Sequence, residues 1–195
     1  MMRYGAGLLV LLLLASGCAS PPARFYKLSA AAPPAAAPVA VSVAVAVGPV
    51  SIPAIVDRPQ FVLRTGPNEV RVDEFNRWGA PLADDIARVV AENLVVMLGT
   101  PYVTLYAQQT GEPADFRVAL GVQRFESSLG EAALLDAVWT VRRTKDGTTR
   151  NGRTTVREPT QRQGFDALAA AHSRAVARLS EDIAEAVRVQ ATSQP

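Results

Sequence analysis

Any chemistry in this chain would have to be done by very few residues. It contains one cysteine, Cys18, and one histidine, His172. A single thiol excludes an intramolecular disulfide and any multi-cysteine zinc site, and a single imidazole excludes a histidine-rich metal centre. Nucleophilic or acid–base catalysis needs a base positioned beside its nucleophile. His172 instead falls on the apolar stripe of a C-terminal helical pattern, where a core imidazole hydrogen-bonded to a neighbour is expected. No Gly-x-Ser-x-Gly elbow, phosphate-binding glycine loop or dinucleotide fingerprint occurs. Asp84 and Asp85 are adjacent and would diverge on a helix, so favourable charge at a helix start accounts for them better than metal ligation does. These residues point away from an enzyme, a metal site and a cofactor.

Cys18 offers a different chemistry, because of what precedes it. Arg3 is followed by the apolar run Leu8 to Leu14 and by the small residues Ala15, Ser16 and Gly17. That is the order of an export signal, and the run is shorter than the ~20 residues a permanent membrane-spanning helix needs. Ending in Cys18, it resembles a bacterial lipobox, whose thiol receives a diacylglycerol before cleavage in front of the cysteine. Residues 1–17 would then be removed, and acyl chains on Cys18 would hold the protein on a membrane. The residue after the cysteine is Ala19. An Asp there would resemble an inner-membrane retention signal; without one, the inner leaflet of the outer membrane, facing the periplasm, is expected.

The remaining composition fits one anchored domain. The chain has 195 residues, with 20 Lys+Arg against 18 Asp+Glu, too even a balance for a general nucleic-acid binder. Residues 18–38 read as a lipidated N-terminus and Pro/Ala-rich tether, 39–190 as a single α/β domain, and 191–195 as a disordered tail. Within the tether Phe25, Tyr26 and Leu28 are too apolar for a linker and would add an edge strand or dock on a partner.

The elements follow from periodicity. Val39, Val41, Val43, Val45 and Val47 alternate with small residues, predicting a strand covered on both faces and ended by Gly48-Pro49. Phe61-Val62-Leu63 and Val70-Arg71-Val72 flank Thr65-Gly66-Pro67-Asn68, a hairpin pattern. A helix is expected from Pro81 to Met97, closed by Gly99. Short strands are expected at Tyr102 to Tyr106, Phe116 to Val122 and Leu135 to Val141, with Glu126 to Glu131 as a connection. Lys145-Asp146-Gly147 predicts a turn into a polar strand. That basic hairpin carries Arg142, Arg143, Lys145, Arg150, Arg153 and Arg157 and is either a solvated edge or a contact for anionic lipid or an acidic partner. A long helix from about Phe165 to Val189 ends the chain. The fold class expected is α/β, a three-layer arrangement of a mixed, largely hairpin-connected sheet with two main helices.

Two motifs are unlike generic scaffold. Asp57-Arg58-Pro59-Gln60 follows a proline-stiffened segment, with Asp57 and Arg58 placed for a local ion pair or turn cap. Asn76-Arg77-Trp78 sets a guanidinium and an indole at a helix entrance, either to fix the corner or to anchor an interface. Together with the lipobox, Phe25-Tyr26-Lys27-Leu28, Leu82…Asp85-Ile86, Phe125, Leu135…Trp139 and Leu179-Ser180…Asp182-Ile183, these pieces resemble the ABC-type transport auxiliary lipoproteins, the PqiC/YmbA-like group. The resemblance implies a non-catalytic docking subunit of an intermembrane lipid-transport system that supports envelope integrity. Its implied partners are the outer membrane, an MCE-domain periplasmic protein with its inner-membrane permease, and like subunits in a homo-oligomeric ring. Phe25, Tyr26, Asp57, Arg58, Pro59, Gln60, Asn76, Arg77 and Trp78 are the candidate interface or corner residues. An assembly factor or pilotin for another outer-membrane protein, and a lipid-processing enzyme, are the competing readings.

Overall fold

The computed structural model describes residues 21–31, 43–106 and 114–192. Cys18, the export signal, Val39 and Val41 lie outside the described residues, as do residues 193–195. Eight strands form one curled mixed sheet: β1 (Arg24–Tyr26), β2 (Val45–Ser51), β3 (Gln60–Arg64), β4 (Val70–Trp78), β5 (Val103–Leu105), β6 (Phe116–Ser128), β7 (Ala132–Arg143) and β8 (Thr149–Pro159). Two helices, α1 (Leu82–Leu98) and α2 (Phe165–Thr192), pack on it. This is the expected α/β arrangement.

The long strand β6 is the hub. Its first half pairs in parallel with β2, its last residues meet β3 at Leu63↔Ser127, and β7 runs antiparallel along its whole length. The sheet therefore forks at β6 into β2–β5 on one arm and β3–β4–β1 on the other, while β7 and β8 extend the opposite side as hairpins. β1 and β5 stand at opposite ends of the strand order. The predicted β3–β4 hairpin is present, and α1 ends at Gly99, whose left-handed φ of 67° suits glycine.

Several boundaries differ from the periodicity: Val43 precedes β2, which starts at Val45, β4 runs on to Trp78, and β7 starts already at Ala132. Gly48-Pro49 does not end its strand: β2 continues to Ser51 through a register shift between Val47 and Val50. Proline cannot donate to the ladder, and Gly48 at φ 123° takes the bulged conformation instead. Glu126 to Ser128, expected in a connection, still belongs to β6, and the turn is confined to Leu129–Glu131. Finally, α2 runs through Thr192, so Ala191 and Thr192 are helical rather than tail.

The core lies between the helices and the sheet. Val45, Ala46 and Val47 are all buried, as a strand covered on both faces requires. Hydrogen bonds from Asn93 to Ser180 and from Arg188 to Met97 step along the helix pair in the same sense, so α1 and α2 run parallel.

Candidate functional site

Most of the residues singled out from the sequence meet at one corner. β1 lies parallel on β4 with Arg24 opposite Asn76, Phe25 opposite Arg77 and Tyr26 opposite Trp78. Strand alternation sends Tyr26 and Trp78 inward and Phe25 and Arg77 outward. Trp78 stacks on Phe61 with ring centroids 4.1 Å apart, and Tyr26 meets Phe61 edge-on at 5.6 Å. The Tyr26 hydroxyl donates to Asn76 Oδ1 at 2.9 Å, and the Gly79 amide donates to the Tyr26 carbonyl at 2.7 Å. Asp73 shapes the bend in β4 by accepting from the Phe75 and Asn76 amides and from Asn76 Nδ2. Burial alone would raise the Asp73 carboxyl, but these donors hold it below its ordinary value.

The Asp57-Arg58-Pro59-Gln60 segment is fixed by backbone more than by charge. The Arg58 amide donates to Val56 O at 2.9 Å, and the Trp78 amide donates to Pro59 O at 2.6 Å. Gln60 Nε2 donates to Glu74 Oε2 at 3.3 Å. The expected Asp57–Arg58 ion pair is not formed; both side chains are exposed and neither has an ionic partner among the described residues. With Trp78, Gly79 and Pro81 they line an open cleft of about 420 Å³. Arg77 folds back on its own strand, Nε donating to Glu74 O at 2.8 Å.

A second set of residues, which the sequence reading missed, completes the corner. Leu28 is fully buried, and its amide donates to Asp85 Oδ2 at 2.7 Å. Arg88 Nη2 donates to the Leu28 carbonyl at 2.8 Å and to Asp85 Oδ1 at 2.6 Å. The Ser29 amide reaches Ser173 Oγ and the Ala31 amide reaches Asn93 Oδ1. Side chains of both helices thus take over the backbone of the chain where β1 stops, as buried amides require. Asp85 is therefore a clamp and not only a charge at a helix start. The available signal was polar residues at helical spacing inside apolar stripes: Asp85 and Asn93 on α1, Ser173 and Ser180 on α2.

His172 is fully buried, its ring stacked on Phe125 at 4.0 Å and its Nε2 2.8 Å from Ser127 Oγ. Burial pushes the imidazole down to about 3, so it is neutral at physiological pH. No group of three His, Cys, Asp or Glu among the described residues could hold a metal ion, and no described helix is long and apolar enough to cross a membrane. In the basic hairpin Arg153 is bound to Asp136 at 2.6 Å and Arg143 to Asp146 at 2.9 Å. Arg142, Lys145 and Arg150 stand without an ionic partner among the described residues.

The fold and this corner define a class: an α/β domain whose helices clamp the chain that follows β1. The family model described as ABC-type transport auxiliary lipoprotein component matches residues 26–184, and the chain belongs to that family. The match thus begins inside β1 and ends within α2. A crystal structure of a Xanthomonas campestris protein of family-model DUF330 is similar at 22% identity, covering 86% of this chain and 99% of that chain, with a TM-score of 0.68. A second crystal structure, of an uncharacterized protein, is similar at 18% identity with the same coverage and a TM-score of 0.69. At these identities the likeness shows the fold. No curated protein matches the chain.

Proposed function

We propose that this chain is an outer-membrane lipoprotein, acylated at Cys18 and facing the periplasm, that docks an MCE-type, ABC-linked intermembrane lipid-transport system to the outer membrane. The observation that carries this reading is the family match over residues 26–184. The gripped segment supports it, since a docking subunit must transmit load between its anchor and its folded body. The partners are an MCE-domain protein with its inner-membrane permease, and like subunits assembled as a ring. The reading needs surfaces and an anchor but no catalytic step, and the sealed, neutral His172 is consistent with that.

Co-purification of the native, acylated protein tests it. Recovery of an MCE-domain partner is the expected result; recovery of only a secretin or a barrel protein would replace this reading with the assembly-factor one.

A further inference from the structure

The outer face of the β1–β4 edge presents apolar side chains that the fold does not use. Phe25 is 66% exposed and Phe75 40%. Phe25 faces Arg77 across the ladder, and Phe75 lies in the bend of β4 just before the stretch that pairs with β1. Beside them Arg24, Lys27 and Arg58 are exposed and have no ionic partner among the described residues. The nearby carboxylates are Asp57, Asp73, Glu74 and Asp166; Asp73 is drawn to Arg71 at 3.4 Å, Glu74 to Arg77 at 3.9 Å and Asp166 to Arg162 at 3.9 Å, which leaves Asp57 alone against the three unpaired cations. The patch is therefore aromatic and net positive. Aromatic rings that enter a headgroup layer while flanking cations meet lipid phosphates make this combination suited to a membrane surface.

The length of chain before β1 says where that surface is. From Cys18 to Arg24 the backbone spans at most about 20 Å even when fully extended. A domain of this size has a radius of gyration near 15 Å and measures roughly 40 Å across. The β1–β4 edge is thus held within about half a domain's width of whatever holds Cys18, whereas Tyr102 follows the opposite end of α1, a 17-residue helix that rises about 25 Å from this corner. The grip of Asp85 and Arg88 on Leu28 keeps this separation from growing by peeling of β1.

We infer that the β1–β4 edge rests on the lipid bilayer, with Phe25 and Phe75 seated in its headgroup region. The acyl chains retain the protein, and this patch sets which face points down, leaving the C-terminal end of α1 and Tyr102 turned to the periplasm. The inference rests on acylation of Cys18.

The test uses the full, acylated chain in vesicles of phosphatidylethanolamine and phosphatidylglycerol. Because Cys18 is the only native cysteine and is blocked by acylation, Phe25→Cys, Phe75→Cys and, as the reference beyond the far end of α1, Tyr102→Cys each accept one environment-sensitive fluorophore. Tyr102 is 63% exposed, comparable to Phe25, and an unchanged melting temperature of each labelled protein is the check that the fold is kept. The expected result is a blue shift and loss of most emission to bromine-bearing lipids at positions 25 and 75, with neither at 102. Labels at 25 and 75 that stay water-exposed and unquenched, in protein shown by palmitate labelling to be acylated, would overturn the inference while leaving the anchor intact. Shielding that appears only when the co-purified partner is added would equally overturn it, in favour of a protein interface. Absence of palmitate would remove the anchor and this inference together.

Discussion

His172 has neither solvent nor a carboxylate to stabilise an added proton: its ring lies flat on Phe125 and its Nε2 faces Ser127 Oγ. Burial holds it at about 3 against an ordinary 6.5, so between those values the unfolded chain binds a proton that the folded one does not. Stability is therefore fully present above about pH 6.5 and declines below it, by up to ~1.4 kcal/mol per pH unit. Carboxylates titrate near pH 4, which leaves roughly pH 6 to 4.5 as the window where this imidazole dominates. His172→Phe strands the Ser127 hydroxyl at a cost of about 1–3 kcal/mol but removes the slope. Thermal melts of both proteins across pH 7.5 to 5 check this, and a wild-type melting temperature that stays level would contradict it. The clamp makes a second residue-scale prediction. Asp85→Ala leaves the Leu28 amide without its acceptor and Arg88 with only Glu92 and the Leu28 carbonyl, at roughly 1–3 kcal/mol for a stranded buried group, and should speed tryptic cleavage after Lys27. An unchanged cleavage rate would show that β1 is held by other means. Leu28→Ala should act in the same direction, with a loss of about 2–5 kcal/mol for a fully buried leucine.

At the scale of elements, β7 and β8 depend on one close approach. The Trp139 ring lies across Gly152 so tightly that a Cβ there would fall 2.1 Å from Cζ2, while the indole N–H donates to Thr154 Oγ1 at 3.1 Å. Gly152→Ala should displace the indole and cost about 1–3 kcal/mol, read as a lowered urea midpoint with altered tryptophan emission. A variant with wild-type emission and midpoint would mean that the hairpin flexes at no cost. The valine alternation made β2 legible, and the Thr65-Gly66-Pro67-Asn68 turn made β3–β4 legible, because both patterns are local. The forking of the sheet at β6 was not, since it arises from pairing β3 and β2 with different halves of one strand. The apolar residues of three-residue β1 set it apart from the tether as an edge strand or a docking segment, and only its pairing with β4 decides for the strand.

For the whole molecule, anchor and domain should be separable. Cys18→Ala is expected to abolish palmitate labelling and membrane retention while leaving the melting temperature of the folded domain unchanged, because Cys18 lies outside the family match and upstream of β1. Retention of the variant on membranes after a carbonate wash would count against acylation as the attachment. Much of this organisation was readable in order along the chain: a domain of mixed strands and two helices, and a corner marked by Asp57 to Gln60 and Asn76 to Trp78. Those features are set by composition and by periods of two and 3.6 residues, which act locally. Which of the marked residues are structural and which are free could not be read there. Tyr26, Asn76 and Trp78 are spent on packing and hydrogen bonds within the corner, whereas Phe25 and Arg58 face outward, and that division depends on which strands become neighbours. The clamp of Asp85 and Arg88 on Leu28 joins residues far apart in sequence. Only tertiary packing, by burying an amide that must find an acceptor, brought them together.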